Sequence, residues 1–214
     1  MYMPKNVVFL SGCHGTGKST LKEKLLDQIP YLIRYDKCEM TSFEDIFERQ
    51  IRRITKYRID HERIAKLALD NPDKIILTDR CVFDAIVYID AFSTLGWLDN
   101  SDTITCKHMI GTLFPSAKYY PKNVILIHPS LDTIKEFLSK RQSEEGTKWN
   151  ENNEYYLSMV YHYYNYKFNN QNMQYSQNKY TKNINFLKLE DVDINERIKK
   201  CKRYLDILYN EIKS

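Results

Sequence analysis

Val7-Val8-Phe9-Leu10 runs straight into Ser11-Gly12-Cys13-His14-Gly15-Thr16-Gly17-Lys18-Ser19-Thr20, and the second stretch fits the phosphate-binding loop pattern G-x-x-x-x-G-K-[ST] at every fixed position. The apolar run predicts a buried strand, and Leu21, Leu25, Leu26 and Ile29 fall on one face of a helix that Pro30 stops. Strand, glycine-rich turn and helix are the context that the pattern needs. The loop glycines let backbone amides converge on phosphate oxygens, and the positive end of the helix adds to that field. Residues 12 to 20 are therefore expected to hold a nucleoside triphosphate, with Lys18 on the β and γ phosphates and the Ser19 hydroxyl on Mg²⁺.

Outward from the loop, strand and helix signals alternate. Tyr31 to Tyr35 reads as a short strand. A cap within Ser42 to Asp45 opens a long helix carrying Ile46, Phe47, Ile51 and Ile54, expected to break near Asp60 and resume through Ile64. Lys74 to Thr78 reads as a buried strand, followed by a helix through Phe92 and another from Thr103 to Phe114. Asn123 to His128 is the clearest central strand, and Ser130 caps a helix ending near Arg141. A polar loop over 142–153 precedes an aromatic helix from Tyr155 to Phe168. Asn169 to Asn185 is an Asn- and Gln-rich surface excursion, Ile184 to Leu189 a last strand, and Asp193 caps the closing helix. Such alternation predicts an α/β fold: one domain over 1–214, with a five-stranded, mostly parallel sheet flanked by helices and a lid segment at about 141–154. Ligands in such sheets bind beyond the carboxyl ends of the strands, where the loop, Asp36, Asp79 and His128 all fall.

Composition narrows the class. The chain has 214 residues, 43% hydrophobic and 28% charged, with a net charge of +4, too mild to argue for nucleic acid by itself. No apolar run approaches the roughly 20 residues of a membrane span. No secretory signal is visible, and the five cysteines lack any C-x-x-C pair, so they are expected to be free thiols in a cytoplasmic setting. Neither Cys13-His14 nor Cys106-Lys107-His108 has a second ligand pair at zinc-site spacing.

A triphosphate loop alone serves switches, motors and kinases. The chain has no Asn-Lys-x-Asp guanine motif and no apolar run ending in Asp-Glu. Instead Ile75-Ile-Leu-Thr-Asp79-Arg80 sets a carboxylate and a guanidinium side by side at a strand end, suited to a hydrated metal and to an anionic or hydroxyl acceptor. Together with Cys81 to Tyr88, Lys140-Arg141-Gln-Ser-Glu-Glu145 and Glu154-Tyr-Tyr-Leu157, these residues make most of the chain resemble the deoxynucleoside kinase and thymidylate kinase group. The resemblance implies a phosphate-loop kinase using ATP and Mg²⁺. In it Asp79 assists the metal, Arg80 holds the acceptor, and Arg141 descends from a lid onto the transferring phosphoryl group.

The chain departs from the group at the end of the second strand, where nucleoside kinases carry a glutamate base and nucleotide kinases more often an arginine. Here stand Arg34, Asp36 and Glu39: Asp36 is the first candidate for general base and Glu39 the second, while Arg34 leaves a monophosphate acceptor open. Lys140 and Lys148 are the candidates for a second lid cation, without the bidentate fork of arginine. Each residue also has a structural alternative: a surface ion pair for Asp79-Arg80, a dipole-complementing helix end for Arg141, polar loop positions for Asp36 and Glu39, a hydrogen-bonded structural histidine for His128. The basic run Arg49, Arg52, Arg53, Lys56, Arg58 is a solvated helix face, the border of an acceptor pocket, or a seat for nucleic-acid phosphates. The tyrosines of Tyr155 to Tyr166 fit the core better than base stacking.

The expected activity is transfer of the γ phosphoryl of ATP to a nucleoside or nucleoside monophosphate. A polynucleotide 5′-hydroxyl kinase and a non-catalytic ATP-binding regulatory module are the alternatives, with nucleic acid a partner less favoured than a small molecule. The helix Val82 to Phe92 is open to a homodimer face as well as to a core role.

Overall fold

A computed structural model describes residues 1–37, 45–146, 150–168 and 184–214. The strands are β1 (Val7–Ser11), β2 (Leu32–Arg34), β3 (Ile75–Asp79), β4 (Asn123–Ile127) and β5 (Asn185–Leu189). Between and after them lie α1 (Lys18–Gln28), α2 (Ile46–Asp70), α3 (Val82–Thr94), α4 (Asn100–Leu113), α5 (Leu131–Glu145), α6 (Glu154–Phe168) and α7 (Ile194–Lys213). The sheet order is β2-β3-β1-β4-β5 and every pairing is parallel. Because β1 leads outward to β2 on one side and β4 begins on its other side, the chain reverses direction at the carboxyl end of β1, which opens the crevice where such folds bind ligands.

Alternation along β1 divides the core. Val8 and Leu10 face α1 and α7, meeting Leu21, Leu25, Cys201 and Leu205. Val7 and Phe9 face the opposite layer, where α2, α3, α4 and α6 contribute Ile54, Tyr88, Ile110 and Tyr164. Helix α3 is buried at ten positions from Val82 to Phe92, so its apolar surface is spent largely within the molecule.

Several sequence expectations shift. Helix α2 runs unbroken through Asp60, because this buried carboxylate accepts hydrogen bonds from Tyr35 Oη (2.8 Å) and Lys56 Nζ (2.9 Å). A charge on the apolar face is tolerated when it is paired in this way. Asp45 caps α2 by accepting from the Glu48 amide (2.6 Å), while Ser42 lies outside the described residues. Asp99 does the same for α4 through the Asp102 amide (2.8 Å), starting it at Asn100 rather than Thr103. Helix α5 continues past Arg141 to Glu145 and stops at Gly146, whose φ of 80° only glycine adopts cheaply. The stretch read as a surface excursion lies outside the described residues from 169 to 183.

Candidate active site

The phosphate loop is backbone wound tightly over the end of β4. Gly12 has φ of 140°, and a Cβ there would lie 2.4 Å from the Ile127 carbonyl oxygen. Gly15 and Gly17 also have positive φ. Inside the turn, Lys18 Nζ donates to the carbonyls of Gly12 (2.9 Å) and Cys13 (2.5 Å) and to Thr16 Oγ1 (3.1 Å). Thr16 Oγ1 in turn donates to the Cys13 carbonyl (3.1 Å). Burial, with the nearby charge of Arg80, lowers Lys18 to about 7. Burial also raises the Cys13 thiol to about 11, which keeps it neutral. Ser19 and Thr20 are exposed on the first turn of α1, which carries no acidic residue, so the positive helix end is left to an outside anion. Arg197 of α7, 2% exposed, braces the loop from behind, donating to the Thr16 carbonyl (2.7 Å) and the Asp191 carbonyl (2.6 Å).

Over the loop lies a cavity of about 880 Å³ lined by residues 14 to 20, Asp79, Arg80, Phe137, Lys140, Arg141 and Arg197. Arg141 thus faces the loop from α5, where it pairs with Glu151. Glu151 Oε1 lies 3.4 Å from His14 Nδ1, and His14 Nε2 lies 2.9 Å from Tyr156 Oη. Burial opposes the charge on Glu151, but hydrogen bonds from His14 and Arg141 outweigh it and draw the carboxyl down to about 2. Burial leaves His14 itself neutral, near 4. His14 therefore links the loop to Glu151 and, through it, to Arg141 of α5, while it also lines the cavity.

At the end of β3, Arg80 adopts a left-handed φ of 55°, a strained conformation for a residue with a side chain. Its amide donates to the Leu10 carbonyl (2.6 Å), and Nη1 donates to Tyr88 Oη (3.0 Å) and Tyr164 Oη (3.2 Å). Behind it sits the fully buried Asp84, which accepts from Tyr164 Oη (2.5 Å), Ser11 Oγ (2.8 Å) and the Cys81 amide (2.7 Å). Arg80 and Asp79 do not pair as a surface couple. Asp79 instead meets Lys22 Nζ at 2.7 Å, and Lys22 also holds Asp36 at 2.9 Å. Lys22 stands one helical turn after Lys18, and nothing in the loop pattern marks it. Asp36 is further neutralised by Arg34 at 3.7 Å, and Arg34 pairs with Glu23. Neither Arg34 nor Asp36 lines the cavities described here. Glu39 and Lys148 lie outside the described residues.

The donor set suits Mg²⁺. Asp79 Oδ1 is buried without a hydrogen-bond partner among the described residues, and the Ser19 hydroxyl is exposed on the helix turn below. Mg²⁺ takes oxygen ligands and is commonly held by one or two protein groups plus substrate phosphates. No cluster of three or more His, Cys, Asp or Glu suited to a metal occurs among the described residues.

A second cavity, about 310 Å³, is lined by Lys37, Arg49, Arg53, Lys56, Tyr57, Asp79 and Arg80. The basic run of α2 thus divides by helical spacing. Arg49, Arg53 and Lys56 turn inward, whereas Arg52 and Arg58 pair with Glu48 and Glu62 one turn away. Arg53 lies over the Tyr88 ring at 4.7 Å, and Lys37 over Tyr57 at 4.4 Å while donating to the Arg80 carbonyl. Burial lowers Lys37 to about 8. His128 takes no part in this constellation: it is buried, stacked on Tyr161 at 4.1 Å, and neither ring nitrogen has a hydrogen-bond partner among the described residues, where the sequence reading has a hydrogen-bonded structural histidine. Of the tyrosines on α6, Tyr156 and Tyr164 are core residues and Tyr155 and Tyr166 are exposed.

Sheet order, loop and crevice define a phosphate-loop nucleotide-binding fold of the kinase kind. Among solved structures, the chain is similar to deoxyadenosine kinase from M. mycoides. With dATP bound, that structure gives a TM-score of 0.69 at 17% identity over 93% of this chain and 98% of the other. With the products dCMP and a flexible dCDP the values are 0.70 and 18%, and with dCTP 0.69 and 21%, each over 94% of this chain and 98% of the other. The fold is that of a phosphate-loop deoxynucleoside kinase. No family model and no curated protein matches the sequence. Among the described residues, no helix is long and apolar enough to cross a membrane.

Proposed function

We propose that the chain is an ATP-dependent phosphotransferase that moves the γ phosphoryl group to a small acceptor of the nucleoside or nucleoside monophosphate class. One observation carries the reading: the cavity over the phosphate loop and the cationic cavity beside α2 share Asp79 and Arg80 as a common wall. Phosphoryl transfer needs donor and acceptor held in line across such a junction, with positive charge where negative charge spreads.

In this reading the loop amides and Lys18 cradle the β and γ phosphates, and Lys18 exchanges its loop carbonyls for phosphate oxygens. Ser19 and Asp79 would hold Mg²⁺, which supplies charge neutralisation between the phosphates. Lys22 fixes the Asp79 carboxylate, Arg80 orients the acceptor, and Arg141 neutralises the transferring group from a lid at about 141–154. Burial of the reacting phosphates beneath that lid keeps water from competing. Nucleotides bound in the similar deoxyadenosine kinase structures support the same kind of ligand here.

The test is ADP formation from ATP and Mg²⁺ over a panel of nucleosides, nucleoside monophosphates and a 5′-hydroxyl oligonucleotide. Acceptor-dependent turnover should fall by about 10²–10³ or more in Lys18→Ala and in Asp79→Ala. ATP binding with no acceptor phosphorylated would favour the regulatory module instead.

A further inference from the structure

We infer that the acceptor already bears a phosphate, and that this phosphate is the group phosphorylated: the substrate class is nucleoside monophosphate rather than nucleoside. The inference rests on the proposed function and deepens it. Five cationic side chains, Lys37, Arg49, Arg53, Lys56 and Arg80, line the second cavity against the single carboxylate of Asp79. That carboxylate is already engaged by Lys22 at 2.7 Å. Part of the positive charge is answered locally, since Lys56 meets the buried Asp60 at 2.9 Å and Arg80 lies 3.7 Å from Asp84. Arg53 has only the neutral Gln50 Oε1 at 3.2 Å and the Tyr88 ring among its described contacts. Arg49, Arg53 and Lys56 recur at spacings of four and three residues on one face of α2, so a rigid helix presents all three to one ligand. Two guanidinium groups on one wall suit the oxygens of a phosphate dianion.

The chemistry of transfer agrees. A sugar hydroxyl must lose a proton to attack, and calls for a base in contact with it. Asp79, the one carboxylate on the described wall, is held by Lys22, and Asp36 is held by Lys22 and Arg34 away from that wall, while Glu39 lies outside the described residues. A phosphate monoester, with its second pKa near 6, is largely a dianion at neutral pH and carries its own nucleophilic oxygen. That oxygen forms a bond to the γ phosphorus as the bond from the γ phosphorus to the bridging oxygen breaks. ADP leaves with the electron pair, a nucleoside diphosphate results, and no proton moves.

The experiment compares kcat/KM for each nucleoside and its 5′-monophosphate in the wild-type chain and in Arg49→Gln, Arg53→Gln and Arg53→Lys, with ATP binding measured alongside. Monophosphates should be the better acceptors, and each glutamine variant should lose about 10- to 100-fold in kcat/KM for them, with ATP affinity within about twofold of wild type. Arg53→Lys should fall between, because charge remains without the planar fork. Either arginine alone serves if the other variant fails to fold. Nucleosides used as well as or better than monophosphates, or a 5′-hydroxyl oligonucleotide as the preferred acceptor, would overturn the inference and leave phosphotransfer standing. Bound ATP with no acceptor turned over would overturn the proposed function and the inference with it.

Discussion

The two cavities that meet at Asp79 and Arg80 are built by opposite means. The larger is built around one contiguous turn, residues 14 to 20, in which glycines supply the curvature. The smaller takes its polar groups from side chains spread over three places: Lys37 beyond β2, four residues of α2, and Asp79 and Arg80 at the end of β3. A backbone cradle tolerates almost no change of covalent shape but is indifferent to most side chains, whereas a side-chain pocket keeps its shape and changes its ligand when one residue changes. In the proposed function, this arrangement would let one donor be held constant while the acceptor varies.

The largest effect expected from breaking that contrast is at Gly12. A methyl group there meets the Ile127 carbonyl oxygen at 2.4 Å, and φ of 140° is strained for any L side chain. Gly12→Ala should cost about 2–3 kcal/mol of stability, lower Tm by about 4–12 °C, and remove ATP binding. Calorimetric unfolding and nucleotide titration measure both. The arginine variants of the second cavity, by contrast, should leave the donor side intact.

A smaller effect sharpens the contrast through protons. Burial, helped by the charge of Arg80, holds Lys18 near 7, and a bound triphosphate must raise it. The bound form therefore holds a proton that the free form has lost above about pH 7. ATP affinity should be full below pH 7 and weaken as pH rises, by up to about tenfold per unit. Titration calorimetry at pH 8 in buffers of different ionisation heat should show proton uptake that Lys18→Ala lacks.

What the sequence made legible follows the same division. Residues 7 to 20 stand together, so strand, turn and helix could be read in one pass, and the alternation of later elements led to the parallel sheet. The second cavity was only half legible. Its basic run was visible, but which members turn inward depends on the phase of α2, and Lys37 enters from another element. Lys22 and Arg197 were missed because each reaches the site, Lys22 through Asp79 and Arg197 through the Thr16 carbonyl, from a helix whose pattern reads as ordinary amphipathic surface. Spacing of Lys22 one turn after Lys18 was the only local hint. Asp84 read as one more residue of an apolar helix, yet its carboxylate organises Ser11, Cys81 and Tyr164 behind Arg80. The expected break in α2 failed for a related reason: Asp60 looked like an exit to solvent, and its partners Tyr35 and Lys56 are brought to it by folding.

The central claim is that donor and acceptor meet at the shared wall of Asp79 and Arg80. A single molecule that joins two nucleosides through a chain of five phosphates spans both cavities at once and tests this directly by steady-state inhibition. The account predicts inhibition competitive against both ATP and the acceptor, with one molecule bound per chain and tighter than ATP. Competition against ATP alone would contradict it, because the second cavity would then lie outside the path of transfer.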